Sequence, residues 1–331
     1  MTWFEMLTGF SETRSSQVRQ NITVQGDTLT SRVNGKVMVC GQLETPSLAE
    51  LRERVQSAGH DSGHMSIREV VADVHALYAD PSNAGALFQV ASQFNLLEMV
   101  SPNITPEHGV GIYENDHTQG PTCAIAAGAG TIYRNYFASV NGQIGQSESH
   151  QIDCLADLGG ELGNLDNRLW QMRNGYALAS QSGLIEISNR LRFASDDELD
   201  QLRKLLRIGV QWNTQVTLQD CTHKVSQAYC SALPVAYSSH SADLWEDFAR
   251  LVLEASYEAS LCTAILNWRT TGNHQVFLTL LGGGAFGNET NWIIDGINYA
   301  LKRYQDWALD VVIVSYGESK GSVRQLVAQF T

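Results

Sequence analysis

Two nearly continuous apolar runs, residues 276–281 (VFLTLL) and 311–316 (VVIVSY), set the first limit on the fold. A strand with one wet face alternates apolar and polar residues; these do not, so both their faces must be covered. Residues 291–304, between them, recur at helical spacing. Strand, helix, strand with buried strands predicts an α/β fold: a largely parallel sheet between helix layers.

The joint between the first run and its helix is Gly282-Gly283-Gly284-Ala285-Phe286-Gly287-Asn288. Such a joint lies at the carboxyl end of a parallel strand, where open α/β sheets bind ligands. Four glycines let backbone amides approach a ligand closely, and the following helix adds its positive end, so the loop suits an anion. A plain exposed turn is the competing reading, with Phe286 then a core plug. Neither a Lys-Ser/Thr phosphate loop nor a G-x-G-x-x-G dinucleotide fingerprint is present.

Elsewhere, residues 36–40 read as a short strand and 48–57 as a helix, and residues 1–63 as an N-terminal layer packed on a main domain of residues 64–331. Ser66-x-x-Glu69 reads as a capping box, with Ile67, Val70, Val71, Val74 and Leu77 continuing a helix to Asp80-Pro81. Residues 86–94 read as a strand and 120–137 as one buried helix. Residues 139–144 and 176–187 suggest strands or hairpin arms, with Asn141-Gly142 a tight turn. Ser195-x-x-Glu198 opens a helix, 216–218 and 225–237 are strand candidates, and 242–268 is a long helix.

The formal charge of −13 excludes a broad nucleic-acid surface, which needs clustered Lys and Arg. No stretch is long and apolar enough to span a membrane, and six scattered cysteines without C-x-x-C pairs suit buried thiols in a reducing cytosol. The expected location is therefore cytoplasmic or, for a secreted effector, the cytosol of a host. No metal is expected: His60-x-x-x-His64 is interrupted by Asp61-Ser-Gly, and Cys221-x-His223 with Cys230 lacks a fourth ligand. No G-x-S-x-G elbow or kinase signature is found.

The remaining chemistry is acidic. Between the 86–94 strand and the following helix lie Glu98, Glu107, Glu114 and Asp116, with Asn95 and His117 beside them. Thr118, Gln119 and Gly120 can offer side-chain and amide groups at a helix start, where Pro121 suits the first turn. Asp116 is equally suited to capping that helix, and Glu107 and Glu98 to solvated or ion-paired positions.

The segment LLGGGAFGN with its helix and LDVVIVSYG resembles the diphosphate-binding loop, helix and last strand of macrodomains, and GALFQVASQFNLLEMV resembles their strand ending near an asparagine. YENDHTQGPTCAIAAGAGTIYRNYF departs from their usual first loop and looks more like the divergent MavL-like ADP-ribosylhydrolase branch, related to poly(ADP-ribose) glycohydrolases. The resemblance implies a macrodomain-like three-layer α/β/α sandwich with a mixed, largely parallel sheet and an N-terminal extension. It also implies hydrolysis of the N-glycosidic bond joining ADP-ribose to a protein arginine, with ubiquitin a partner in that branch. ADP-ribose would be ligand or product, and no cofactor is required.

On this reading Asp116 is the catalytic acid, with Glu107 and Glu98 positioning water, ribose or arginine. Asn95, Thr118, Gln119, Gly120 and Gly282 to Asn288 bind the ligand, Phe286 lying against the distal ribose. Acids stabilise the oxocarbenium-like state and hold a guanidinium by bidentate hydrogen bonds. Two alternatives stay open: another ADP-ribosyl bond, as in poly(ADP-ribose), for which the Q-E-E pair is missing, and a reader that binds without cleaving.

Overall fold

The computed structural model of the chain describes residues 1–59 and 63–330. The first residues form α1 (Trp3–Thr8), α2 (Ser15–Asn21) and a small antiparallel sheet of β1 (Ile22–Gln25), β2 (Thr28–Ser31) and β3 (Val37–Val39). Next come β4 (Gln42–Glu44), α3 (Leu48–Ser57), β5 (Ser66–Val71), α4 (Val74–Ala79), β6 (Leu87–Ala91), α5 (Gln119–Ala126) and α6 (Gly128–Tyr136). The middle holds the hairpin β7 (Ser139–Val140) and β8 (Gln143–Ile144), α7 (Ala156–Leu162), the hairpin β9 (Trp170–Arg173) and β10 (Tyr176–Ala179), α8 (Gln181–Phe193) and α9 (Asp196–Lys204). The chain ends with β11 (Gly209–Gln215), β12 (Lys224–Cys230), α10 (Ala242–Thr271), β13 (Gln275–Thr279), α11 (Thr290–Tyr304), β14 (Asp310–Ser315) and α12 (Gly321–Val327).

Seven strands form the main sheet in the order β4-β11-β12-β6-β13-β14-β5. The five from β12 to β5 are parallel, and β11 runs against both its neighbours. Side chains alternate across the sheet, and the centre shows it. Phe88 and Phe277, paired in register, stack on each other at 4.4 Å, and Phe88 stacks on Tyr78 of α4 at 4.1 Å. Gln89, one residue on, points to the other face and bonds Ser260 of α10. Helices therefore cover both faces, giving the expected three-layer α/β/α sandwich with a mixed, largely parallel sheet.

The sheet splits at its centre. β6 and β13 pair only at Leu87–Phe88 and Val276–Phe277. Beyond that point two glutamines take the freed backbone groups. Thr279 N–H donates to Gln89 Oε1 (3.2 Å), while the Gln119 side chain accepts from Ala91 N–H and donates to Gln89 C=O, both at 2.9 Å. A gap opens between two parallel strands without stranding a buried polar group. Gln119→Ala is expected to lose about 1–3 kcal/mol of stability, since both backbone partners are left unpaired; urea unfolding measures it.

Several sequence expectations are corrected. The Ser66 to Glu69 segment is not a helix but edge strand β5, and its apparent capping residues serve β14: Ser66 bonds Asp310, and Glu69 accepts from Ser315, Ser319 and the amide of Lys320. Only Val74–Ala79 is helical, capped by Asp73. The 120–137 helix breaks at Ala127 (φ −114°, ψ 54°), where a side chain at Gly128 would meet the Trp3 ring at 2.6 Å. Residues 176–187 are a strand only to Ala179, since Ser180 caps α8. Residues 216–218 lie beyond β11, and 231–237 beyond β12.

Within the expected N-terminal layer of residues 1–63, β4 is hydrogen-bonded to β11 of the main sheet and Leu48 N–H donates to Leu206 C=O. His60 and Asp61, from the rejected metal motif, lie outside the described residues. Among the described residues no helix is long and apolar enough to cross a membrane.

Candidate active site

The split opens into a crevice at the carboxyl ends of β12, β6 and β13, lined by Ser92 and Gln93 after β6, Ala232 after β12, Thr279 at the end of β13, and residues 280–282 and 284–286 after it. The chain leaves β6 toward α5 and leaves β13 toward α11, so two neighbouring connections diverge here, the position at which open α/β sheets bind ligands.

One wall is the turn after β6, which presents Glu98. Leu96 sits at φ 66°, a left-handed conformation unusual for leucine, and its surroundings hold it there. Asn95 Oδ1 accepts from Leu97 N–H (3.1 Å), Gln93 Oε1 from Met99 N–H (2.9 Å), Leu96 C=O from Arg134 Nε (3.2 Å), and Tyr113 Oη from Glu98 N–H (3.0 Å). Gly175 closes the turn from the β9–β10 hairpin; a side chain there would strike Asn95 at 2.5 Å.

Glu98 is 4% exposed, and its Oε1 has no hydrogen-bond partner among the described residues. Burial pushes its carboxyl well above the usual carboxylate range; the Arg134 guanidinium pulls it down, and Asp116 pushes it further up. Arg134 is itself fully buried, 3.7 Å over the Tyr229 ring.

Asp116 reaches the crevice from a 3-10 turn, Gly111–Asn115. Its N–H donates to Tyr113 C=O (3.1 Å), and its Oδ1 accepts from the N–H of Thr118, the N-cap of α5 (2.9 Å), so it fixes the turn before the helix while also lining the cavity. Gly120 opens α5 against Glu98. An added Cβ would lie 2.0 Å from Ala91 O and 2.3 Å from Glu98 Oε2. Gly120→Ala is thus expected to displace the carboxylate and to cost about 1–3 kcal/mol by overpacking, seen as a lower urea midpoint.

The opposite wall is the glycine loop. Gly282 (φ 75°) and Gly287 (φ 70°) have internal reasons to be glycine: added Cβ atoms would meet Ala232 at 2.4 Å and Ala236 at 2.8 Å. Gly284 has none. Its φ lies outside the left-handed range and nothing stands within 4 Å of an added Cβ. The loop is held by Asn288 N–H to Gly282 C=O (2.9 Å), Ala236 N–H to Phe286 C=O (3.0 Å) and Asn288 Nδ2 to Leu233 C=O (2.8 Å). The amides of Gly284, Ala285 and Phe286 donate to no acceptor among the described residues. Consecutive amides without an acceptor are donors that an anion can take.

The crevice therefore brings together Glu98, Asp116, Thr118, Gln119, Gly120, Gly282, Gly284, Ala285 and Phe286. It does not include Glu107, expected to support catalysis, which is exposed and accepts from Glu148 N–H. Asn95, expected to bind ligand, is fully buried and bonded to Gln151, and Asn288 is spent on the loop. Gly283 and Gly287 shape the loop from outside the lining, and Gln119, although in the lining, has both amide atoms bound to β6.

Tyr176 and Tyr237 were not expected in the site. With Phe286 they form a ring triad, centroids 5.0–5.6 Å apart, and Tyr176 Oη donates to Met99 C=O at 2.6 Å. Their approach comes from a hairpin and from a 3-10 turn, Val235–Tyr237, with no local sequence signal.

No group of three or more His, Cys, Asp or Glu capable of holding a metal occurs among the described residues. The described crevice lining carries two acids and no Lys, Arg or His.

No protein-family model matches the chain, and no curated protein matches it. Among solved structures it is similar to the poly(ADP-ribose) glycohydrolase of Deinococcus radiodurans in complex with ADP-ribose, at 12% identity and TM-score 0.47 over 95% of this chain and 97% of that one. It is also similar to the poly(ADP-ribose) glycohydrolase of Thermomonospora curvata, at 11% identity and TM-score 0.47 over 96% and 97%. Identity and TM-scores this low leave function to be read from this chain's own residues.

Proposed function

We propose that the crevice binds ADP-ribose and hydrolyses the N-glycosidic bond between its distal ribose and a protein arginine, as in the MavL-like branch that the sequence resembles. The carrying observation is the charge layout: unused backbone amides on one wall, two carboxyl groups on the other, and no basic side chain in the lining. A diphosphate fits the first wall and a guanidinium the second.

Asp116 orients a water and takes its proton as the water oxygen bonds the anomeric carbon. The carbon–nitrogen bond breaks with its electron pair going to the guanidino nitrogen, and the neutral guanidine then takes a proton from Glu98. The Asp116 carboxylate also stabilises the oxocarbenium-like state, while Glu98 keeps its proton until the guanidine leaves.

The buried, proton-retaining Glu98 favours a second reading, because an alkoxide leaving group needs such an acid where a guanidine does not. Release of ADP-ribose from arginine-linked ubiquitin, from serine-linked protein and from poly(ADP-ribose) separates the readings. Turnover of the first alone supports the arginine linkage, and binding of ADP-ribose with no turnover of any would make the protein a reader.

A further inference from the structure

The N-terminal layer braces the segment that leads to Asp116, and a part-buried carboxylate and a tryptophan make its polar contacts. Glu12 accepts from Val110 N–H (2.9 Å) and Gly111 N–H (2.6 Å), and also from the Tyr136 hydroxyl. The turn is shaped to this carboxylate: an added Cβ at Gly109 or Gly111 would lie 2.5 or 2.9 Å from it. Trp3 holds the same segment from above, Nε1 to Val110 C=O and N–H to Glu114 Oε2, both at 3.1 Å.

From this turn the chain runs directly into the acid-bearing part of the site. Tyr113, one turn on, receives Glu98 N–H on its hydroxyl and Asp116 N–H on its carbonyl. Leu97 and Met99, either side of Glu98, share one apolar cluster with Val110, Tyr113, Trp3, Phe4 and Leu7.

Resting on the hydrolase reading, we propose that Glu12 is a positioning residue for both acids, and that the N-terminal layer is a built-in strut of the crevice. Through Val110, Gly111 and Tyr113 it fixes where Glu98 and Asp116 stand, while the glycine loop, on the far wall, is independent of it.

The test is a Glu12→Gln variant of the full chain. An amide can accept from one N–H of the pair but turns its own NH2 on the other. Amide exchange over residues 109–118 is expected to quicken at least about tenfold, with β13 unchanged, kcat reduced about tenfold or more, and KM and the ADP-ribose Kd held within about twofold. Unchanged exchange over 109–118, or a KM rise without a fall in kcat, overturns the proposal. If Glu12→Gln does not fold, Trp3→Phe, which loses the Val110 bond and part of the indole packing but keeps the backbone bond to Glu114, must quicken exchange over the same residues or the proposal fails. Should the wild type hydrolyse nothing, the hydrolase reading falls, while the exchange measurement still decides whether Glu12 orders the segment.

Discussion

Glu98→Gln is expected to bind ADP-ribose within about threefold of the wild type and to lose about a hundredfold or more in turnover, the scale of a lost proton donor. The substitution keeps shape and hydrogen-bonding capacity while removing the proton that burial retains. Wild-type turnover should fall as pH rises through the raised pKa of this carboxyl, and the variant should lack that limb of the profile. Stability should move the other way. A carboxyl whose folded pKa exceeds its unfolded one makes the native protein hold the proton longer, so stability falls as pH rises from the unfolded value to the folded one. Glutamine has no proton to lose. The variant should therefore melt higher than the wild type at neutral pH, by an amount that shrinks below the unfolded carboxyl pKa. Thermal melts at both pH values, beside single-turnover rates, check the pair; a variant both less stable at neutral pH and fully active would place Glu98 outside the chemistry.

Gly284→Glu is expected to weaken ADP-ribose binding about a hundredfold or more, roughly 2.7 kcal/mol, while leaving the melting temperature close to wild type. The second half of that expectation makes the first informative. Gly284 is exposed, has no left-handed φ, and offers open space to a side chain, so the protein itself gives no reason to reject one. A carboxylate there would stand among the unused amides of residues 284–286 and compete with the phosphates. Gly282→Ala, by contrast, should damage the fold, because its Cβ would strike Ala232. Calorimetric titration of ADP-ribose into both variants, with melts, separates a loop that holds ligand from one that merely turns.

The sheet's central strands were legible because residues 276–281 and 311–316 are apolar on both faces, which only buried parallel strands require. The Ser66 segment was not, because the partners that occupy Ser66 and Glu69 come from β14 and the loop after it. Strand and helix share much local patterning over six residues, and tertiary pairing decided between them. In the site, the glycine loop announced itself by composition. Among the acids, sequence could not tell Glu98 from Glu107: one is enclosed by Arg134, Tyr113 and Gly120, the other lies on the surface, and nothing beside either residue records the difference.

The pairing of β5 with β14 bears on how the chain must be assembled. Ser66 and Asp310, which bond across that pair, are 244 residues apart, and β14 also supplies the partner of β13. During synthesis β5 must wait, its backbone N–H and C=O groups unpaired on the β14 side, until nearly the whole sheet has emerged. Ordering of such distant pairs is slow, because loop closure precedes any gain from contact. The glycine loop hangs from β13, whose outer neighbour is β14, so the anion-binding wall of the crevice takes shape only once that late strand has docked.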